Sequence, residues 1–266
     1  MLHHTSWLSL FLALTTIAKG AGPDEIPFRL VRDFAIVVRG SIGTAKDLNI
    51  LLDTGAVPSV ISARLASRME VDGERGAFRL IDEDIQVPYV TVNNVCLGTI
   101  CSSRLAMVVV DLERFERLLG VRIDAVVGLD LLAGKDISID YQGGKIMRRL
   151  SGKGEHAVPV EIATAAGAPY WLLRIEFGGQ SFRVLLDTGA NELGWFSGVG
   201  LRDPASGVPS RPLFMGGLGF RNPTEVVLKR PRGTMQDIDG ILGPRALGIE
   251  RIELDWEHRT LWWSKK

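Results

Sequence analysis

Short apolar or β-branched runs recur at residues 31–38, 48–52, 89–95 and 107–110, and again at 171–177, 182–186 and 226–228. Gly, Asn and Asp separate them, which is the pattern of strands bounded by turns. Residues 40–46 and Gly178-Gly179-Gln180 stand where hairpin turns are needed. Helical patterning is confined to residues 111–119, with Asp111 as N-cap and Gly120 at the stop, and to a shorter stretch at 62–69. The polar segment RRLSGKGEH at 148–156 reads as a linker. The pattern predicts an all-β chain with one or two short helices. Its units are 24–148 and 157–266, joined by 149–156.

The two units repeat one another. Leu51-Leu52-Asp53-Thr54-Gly55-Ala56 returns as Leu185-Leu186-Asp187-Thr188-Gly189-Ala190, an offset of 134 residues (53 to 187). Ile26-Pro27-Phe28 precedes the first copy and Val158-Pro159-Val160 the second. Asp124-Ala125-Val126-Val127-Gly128 follows the first and Asp239-Gly240-Ile241-Leu242-Gly243 the second. The alternating runs Ile137-Ser138-Ile139-Asp140-Tyr141 and Ile252-Glu253-Leu254-Asp255-Trp256 close the copies, offset by 115 (140 to 255). The second copy is therefore 19 residues shorter between its Asp-Thr-Gly and its Ile-Leu-Gly. One shared tetrapeptide could be accident; four elements in the same order indicate duplication of a structural unit.

Composition narrows the function classes. Of 266 residues 46% are hydrophobic, which excludes disorder as the dominant state. Lys+Arg and Asp+Glu are both 31, so no basic excess points to nucleic acid or an anionic membrane. Two cysteines and four histidines leave little for a metal site, and we expect neither metal nor cofactor. Residues 7–18, WLSLFLALTTIA, are too short for a bilayer span of about 20 apolar residues. The run fits the apolar core of a secretory signal over residues 1–20, cleaved after Ala18 or Gly20. His3 and His4 stand where Lys or Arg is usual, and a buried first strand or an uncleaved membrane anchor is the other reading. Export would make the protein secreted or periplasmic, in an oxidising compartment. If Gly98-Thr99 turn a hairpin, Cys96 and Cys101 sit opposite each other, either as a disulfide or as two free thiols.

An Asp in a tight turn closed by Gly is ordinary turn chemistry when it occurs once. Two copies change this. If the units pair about a pseudo-two-fold axis, Asp53 and Asp187 face each other. Two carboxylates about 3 Å apart do not both ionise cheaply and hold one proton between them. The ionised member activates a water and the protonated member donates to a peptide carbonyl oxygen. Such chemistry needs neither a metal nor a covalent intermediate.

These residues carry a family resemblance. Hydrophobic-hydrophobic-Asp-Thr-Gly-Ala followed by hydrophobic-hydrophobic-Gly resembles the aspartic peptidases of the retropepsin-like group, with both halves fused as in the two-lobed pepsin-like enzymes. The resemblance covers residues 26–148 and 157–266. It implies two closed-barrel-like lobes related by a pseudo-two-fold axis, with Asp53 and Asp187 as the catalytic pair. It implies that Thr54 and Thr188 interlock across the axis. Gly55 and Gly189 would line the cleft, with Ala56 and Ala190 beside them on the substrate. Val126-Val127-Gly128 and Ile241-Leu242-Gly243 would pack beneath the turns. A flap would come from the first unit between Val71 and Val92, with Tyr89 contributing to it; the shortened second unit would supply none. Pepsin-like enzymes usually carry Ser or Thr after the catalytic Gly, so Ala56 and Ala190 imply a less acidic optimum, about pH 4–7.

The remaining residues read more plainly. Met215-Gly216-Gly217-Leu218-Gly219 is a hairpin turn rather than a phosphate loop. His156 in the linker and His258 read as solvated. Ser59 and Ser62 lack a His–Asp arrangement nearby, and Trp256, Trp262 and Trp263 read as core and sheet contacts. The expectation is a monomeric aspartic endopeptidase acting on polypeptides. The alternative is a catalytically silent module that grips an extended peptide by strand addition.

Overall fold

The computed structural model describes residues 24–79, 84–165, 167–199, 212–221, 223–230 and 237–265. The expected signal segment, 1–20, lies outside them. The described residues are mostly β-strands with three short α-helices. No helix among them is long and apolar enough to cross a membrane.

Two strands run from the surface into the core. Ala45–Leu52 begins at exposed Lys46 and Asp47 and ends in fully buried Ile50 and Leu52. Gln180–Leu186 begins at exposed Gln180 and Ser181 and ends in buried Val184, Leu185 and Leu186. Each is followed by its Asp-Thr-Gly. In the first half, Ala125–Val127 lies parallel to Ala45–Leu52 on one side and antiparallel to Ser59–Ser62 on the other. Residues 53–58 therefore loop across the end of a short central strand. The second half does the same, with Gly240–Leu242 between Gln180–Leu186 and Leu193–Phe196. A short, mostly buried strand thus underlies each loop.

A separate antiparallel sheet joins the halves. Its order is Glu25–Val31, Lys145–Met147, Ile137–Asp140, Ile249–Asp255, Thr260–Lys265, His156–Ala165. The registers correspond: Pro27 opposes Lys145 as Pro159 opposes Thr260. At the centre Ser138 opposes Glu253, and these are equivalent positions of the repeat. Both are buried. The Glu253 carboxylate accepts hydrogen bonds from the backbone N–H groups of Ser151, Gly152 and Lys153 and from the Ser151 hydroxyl. The segment expected as a linker is thus tied down at its middle. A buried charge is tolerated when its oxygens are satisfied in this way.

The expected closed barrels are not clearly closed. Glu25–Val31 splits instead, giving residues 25–27 to the joining sheet and residues 28–31 to a ladder with Ala35–Ile42. In the first half the pairings return on themselves only through a short seam, in which residues 40–42 of Ala35–Ile42 meet residues 95–97 of Asp84–Leu97.

Helix Ala63–Arg68 starts at Ser62, whose hydroxyl accepts from the Leu65 N–H. Helix Glu113–Leu119 ends at Gly120, which takes φ +70°. Its cap position is Leu112 rather than Asp111, but the Asp111 carboxylate accepts from the Glu113 N–H. The third helix, Leu129–Leu132, and a 3-10 turn, Pro244–Leu247, follow the two conserved-in-repeat glycines and were not legible, since four residues carry no helical period. His156 is no linker residue: it opens the strand His156–Ala165 and its ring lies 4.4 Å from that of Trp263. Trp263 is fully buried, Trp256 packs edge-on against Trp171, and Trp262 is exposed. His258 is exposed and pairs with Asp255 at 3.0 Å.

Cys96 and Cys101 form a disulfide across the hairpin Asp84–Leu97/Ile100–Val110, which turns at Gly98-Thr99. It closes a very short loop, so the double variant Cys96→Ser/Cys101→Ser is expected to lose only about 2 kcal/mol. Urea unfolding measures this. A loss above about 4 kcal/mol would mean that the bridge does more than close its own hairpin.

Candidate active site

The two Asp-Thr-Gly loops meet. Each Asp leaves its strand while its backbone N–H still bonds the central strand, Asp53 to the Val127 carbonyl at 2.9 Å and Asp187 to the Leu242 carbonyl at 3.0 Å. The chain then turns, with Ala56 N–H donating to the Asp53 carbonyl and Ala190 N–H to the Asp187 carbonyl. Each carboxylate also accepts from the Gly two residues on, at 2.8 Å in both copies. These contacts fix each side chain against its own loop.

The threonines fix the loops against each other. Thr54 N–H donates to Thr188 Oγ1 and Thr188 N–H donates to Thr54 Oγ1, both at 3.0 Å. Each hydroxyl then donates onward across the axis, Thr54 to the Leu186 carbonyl at 2.7 Å and Thr188 to the Leu52 carbonyl at 3.2 Å. Both threonines are fully buried. In that setting an unmade bond leaves a polar group stranded, so the four bonds define one relative position of the halves.

This lock sets each carboxyl, Asp53 and Asp187, against the glycine of the opposite loop, near enough to influence the other's proton affinity. The glycines make the approach possible. A Cβ on Gly55 would stand 2.7 Å from the Asp187 carboxyl carbon, and one on Gly189 would overlap the Asp53 carboxyl. Burial pushes both carboxyls above the usual carboxylate range. For Asp187 the Asp53 charge adds to this, while Asp53 is drawn down again by hydrogen bonds from Asp187 and from Gly55, Ala56 and Gly189. The pair therefore retains a proton well above the pH at which an isolated carboxyl loses it, and it titrates as a unit.

The glycines of the flanking elements are equally constrained. A Cβ on Gly128 would strike the Ala56 carbonyl and one on Gly243 the Ala190 carbonyl. The positions after each Asp-Thr-Gly differ between halves: Ala190 is buried, while Ala56 is partly exposed beside an apolar cluster containing Leu51, Val60, Phe78, Val87 and Val126. Phe78 and Val87 belong to a hairpin formed by Glu74–Arg79 and the start of Asp84–Leu97. It rises where the flap was expected, with residues 80–83 outside the described residues. Tyr89 braces it, its hydroxyl donating to the Ala77 carbonyl at 2.7 Å and its ring filling the space beside Gly76. The described part of the second half has instead the short hairpin Leu213–Met215/Leu218–Phe220, turning at Gly216-Gly217.

Sequence reasoning missed one member of the site. Asp130, on the helix Leu129–Leu132, accepts from the Ser59 N–H at 2.8 Å and from the Ser59 hydroxyl at 2.5 Å. Ser59 in turn accepts from the Gly128 N–H at 3.0 Å. Ser62, by contrast, is a helix cap. The available signal was a single acid in the apolar run Gly128-Leu129-Asp130-Leu131-Leu132, where the second copy has Arg245.

Residues 38–131 match a protein-family model described as aspartyl protease. The match takes in the Asp53 loop, the hairpin above it and the Gly128–Asp130 turn, and ends before Asp187. It supports an aspartyl protease family and protease function in general. No curated protein matches the chain.

Proposed function

We propose that this protein is an aspartic endopeptidase made of two fused retropepsin-like units, 24–148 and 157–266, that hydrolyses polypeptides as a monomer. The observation that carries the reading is the reciprocal bonding of Thr54 and Thr188, which sets the Asp53 and Asp187 carboxyls against each other. The matching registers on either side of Ser138 and Glu253 support the duplication. The family match supports the protease class.

In the proposed reaction the ionised member of the pair takes a proton from a water as its oxygen attacks the peptide carbonyl carbon. The protonated member gives its proton to the carbonyl oxygen. The tetrahedral diol then collapses: the C–N bond breaks, the amine nitrogen gains a proton from the pair, and a hydroxyl proton returns to it. Protons balance and the dyad ends as it began. Gly55, Ala56, Gly189 and Ala190 border the substrate, and the hairpin of residues 74–79 and 84–90 closes over it as the flap of the first unit. Export is part of the proposal, supported by the Cys96–Cys101 disulfide, which persists in an oxidising compartment.

The full chain should cleave a denatured protein, with an optimum at about pH 4–7 and inhibition by a statine-type compound. A peak below about pH 3 would contradict the account of Ala56 and Ala190. Folded protein that binds extended peptides but cleaves none across that range would favour the silent binding module.

A further inference from the structure

Asp130 is a half-buried acid that the proposed chemistry does not use. It sits where two elements converge on the Asp53 loop. One carboxylate oxygen accepts from the Ser59 N–H, and the other from the Ser59 hydroxyl and the Leu131 N–H. Ser59 is fully buried and is the first residue after the loop 53–58. Its oxygen also receives the Gly128 N–H, and Gly128 lies directly against the Ala56 carbonyl. Asp130, Ser59 and Gly128 thus form a chain of contacts ending on the turn that presents Asp53.

The second half lacks this device. Leu193 stands at the place of Ser59 and Arg245 at the place of Asp130. Gly243 N–H donates to the Glu192 carbonyl at 3.0 Å, a backbone contact that does not titrate. Arg245 turns outward instead, to the Asp33 and Ile249 carbonyls and over the Tyr141 ring.

We propose that Asp130 is a positioning residue that holds the Asp53 loop through Ser59, so that one half of the dyad is set by an ionisable clamp that the other half lacks. The proposal rests on reading Asp53 as half of the dyad. All three bonds to Asp130 are donated to it, so the ionised form is the one that satisfies Ser59 fully. Protonation puts a hydrogen on one oxygen and competes with the Ser59 hydroxyl. Burial raises its proton affinity above the usual carboxylate range, and the hydrogen bonds from Ser59 and Leu131 oppose this. The elements packed on its helix are Ile100–Val110, which carries Arg104, and Ala168–Phe177, which carries Arg174 and Glu176. Lys135 follows the helix and bonds the Leu131 carbonyl. None of these charges is among the main influences on Asp130.

The test compares the full-length wild type with Asp130→Asn, Ser59→Ala and Ser59→Thr by amide hydrogen exchange and by cleavage across pH. Asp130→Asn and Ser59→Ala are expected to speed exchange at residues 54–59 at least about tenfold, with residues 188–193 unchanged. Their kcat should fall at least about tenfold with KM within about threefold, and the acid limb of kcat should lose one ionisation. Ser59→Thr keeps the hydroxyl and should stay near wild type. Equal loosening of both loops, or of neither, would overturn the proposal, as would an acid limb that is the same in all four proteins. If exchange behaves as expected while the wild type cleaves nothing, the clamp stands and the peptidase reading fails.

Discussion

Replacing Asp53 with asparagine is expected to lower kcat for peptide cleavage by at least about 10³-fold while leaving the fold intact. Asparagine keeps the shape and the acceptor for the Gly55 N–H. In the proposed reaction it removes the proton that the pair passes back and forth. Asp187→Asn should do the same, and the double variant should be no worse than either single one, because the two groups act as a unit. Stability should move the other way. Both carboxyls bind protons more tightly in the folded state than when unfolded. Their contribution is present below about pH 4 and is lost as pH rises through the raised folded value. The wild type therefore becomes less stable on this account between acid and neutral pH, and each variant loses less. Single-turnover cleavage and thermal melts at both pH values test the pair of effects. A variant that cleaves at the wild-type rate would remove Asp53 from the chemistry.

The second large effect concerns the lock beneath the dyad. Thr54→Val keeps the volume of the side chain and deletes its hydroxyl. The Thr188 N–H then loses its acceptor and the Leu186 carbonyl its donor, both in a fully buried site. At about 1–3 kcal/mol for each stranded group, the cost is about 2–6 kcal/mol. Activity should fall about 10²-fold in the molecules that stay folded, since the carboxyls would no longer be held in register. Thr54→Ser retains the hydroxyl and should recover most of both losses. Denaturant unfolding with kinetics on the same samples separates the two. A valine variant within about 1 kcal/mol of wild type would mean that the halves are held by other contacts.

How far the sequence disclosed this arrangement depended on what repeats. The duplicated Leu-Leu-Asp-Thr-Gly-Ala predicted a meeting of Asp53 with Asp187, because equivalent strands carry them to equivalent ends, while the interlock of Thr54 with Thr188 was implied by the family resemblance. Alternation likewise marked the long strands. What broke the repeat stayed hidden. Asp130 and Arg245 occupy one position with opposite charge, and the partners that set their roles, Ser59 and Asp33, lie far away in sequence. Ser59 looked idle because a hydroxyl bonded to a distant acid leaves no local pattern. The splitting of Glu25–Val31 between two sheets was equally invisible, since both halves of the strand have the same apolar character.

The meeting of Ser138 with Glu253 has a consequence for ancestry. In an assembly of two identical chains, whatever residue lies on the rotation axis confronts its own copy. A glutamate there would set two negative groups directly opposite each other in a dry sheet, a destabilising pairing. On a single covalent chain the two positions are inherited separately. One could stay small while the other took a charge and enlisted nearby amides, those of residues 151–153, to neutralise it. If the proposed duplication is right, a return to a symmetric dimer of the second unit would undo that freedom at a cost in stability.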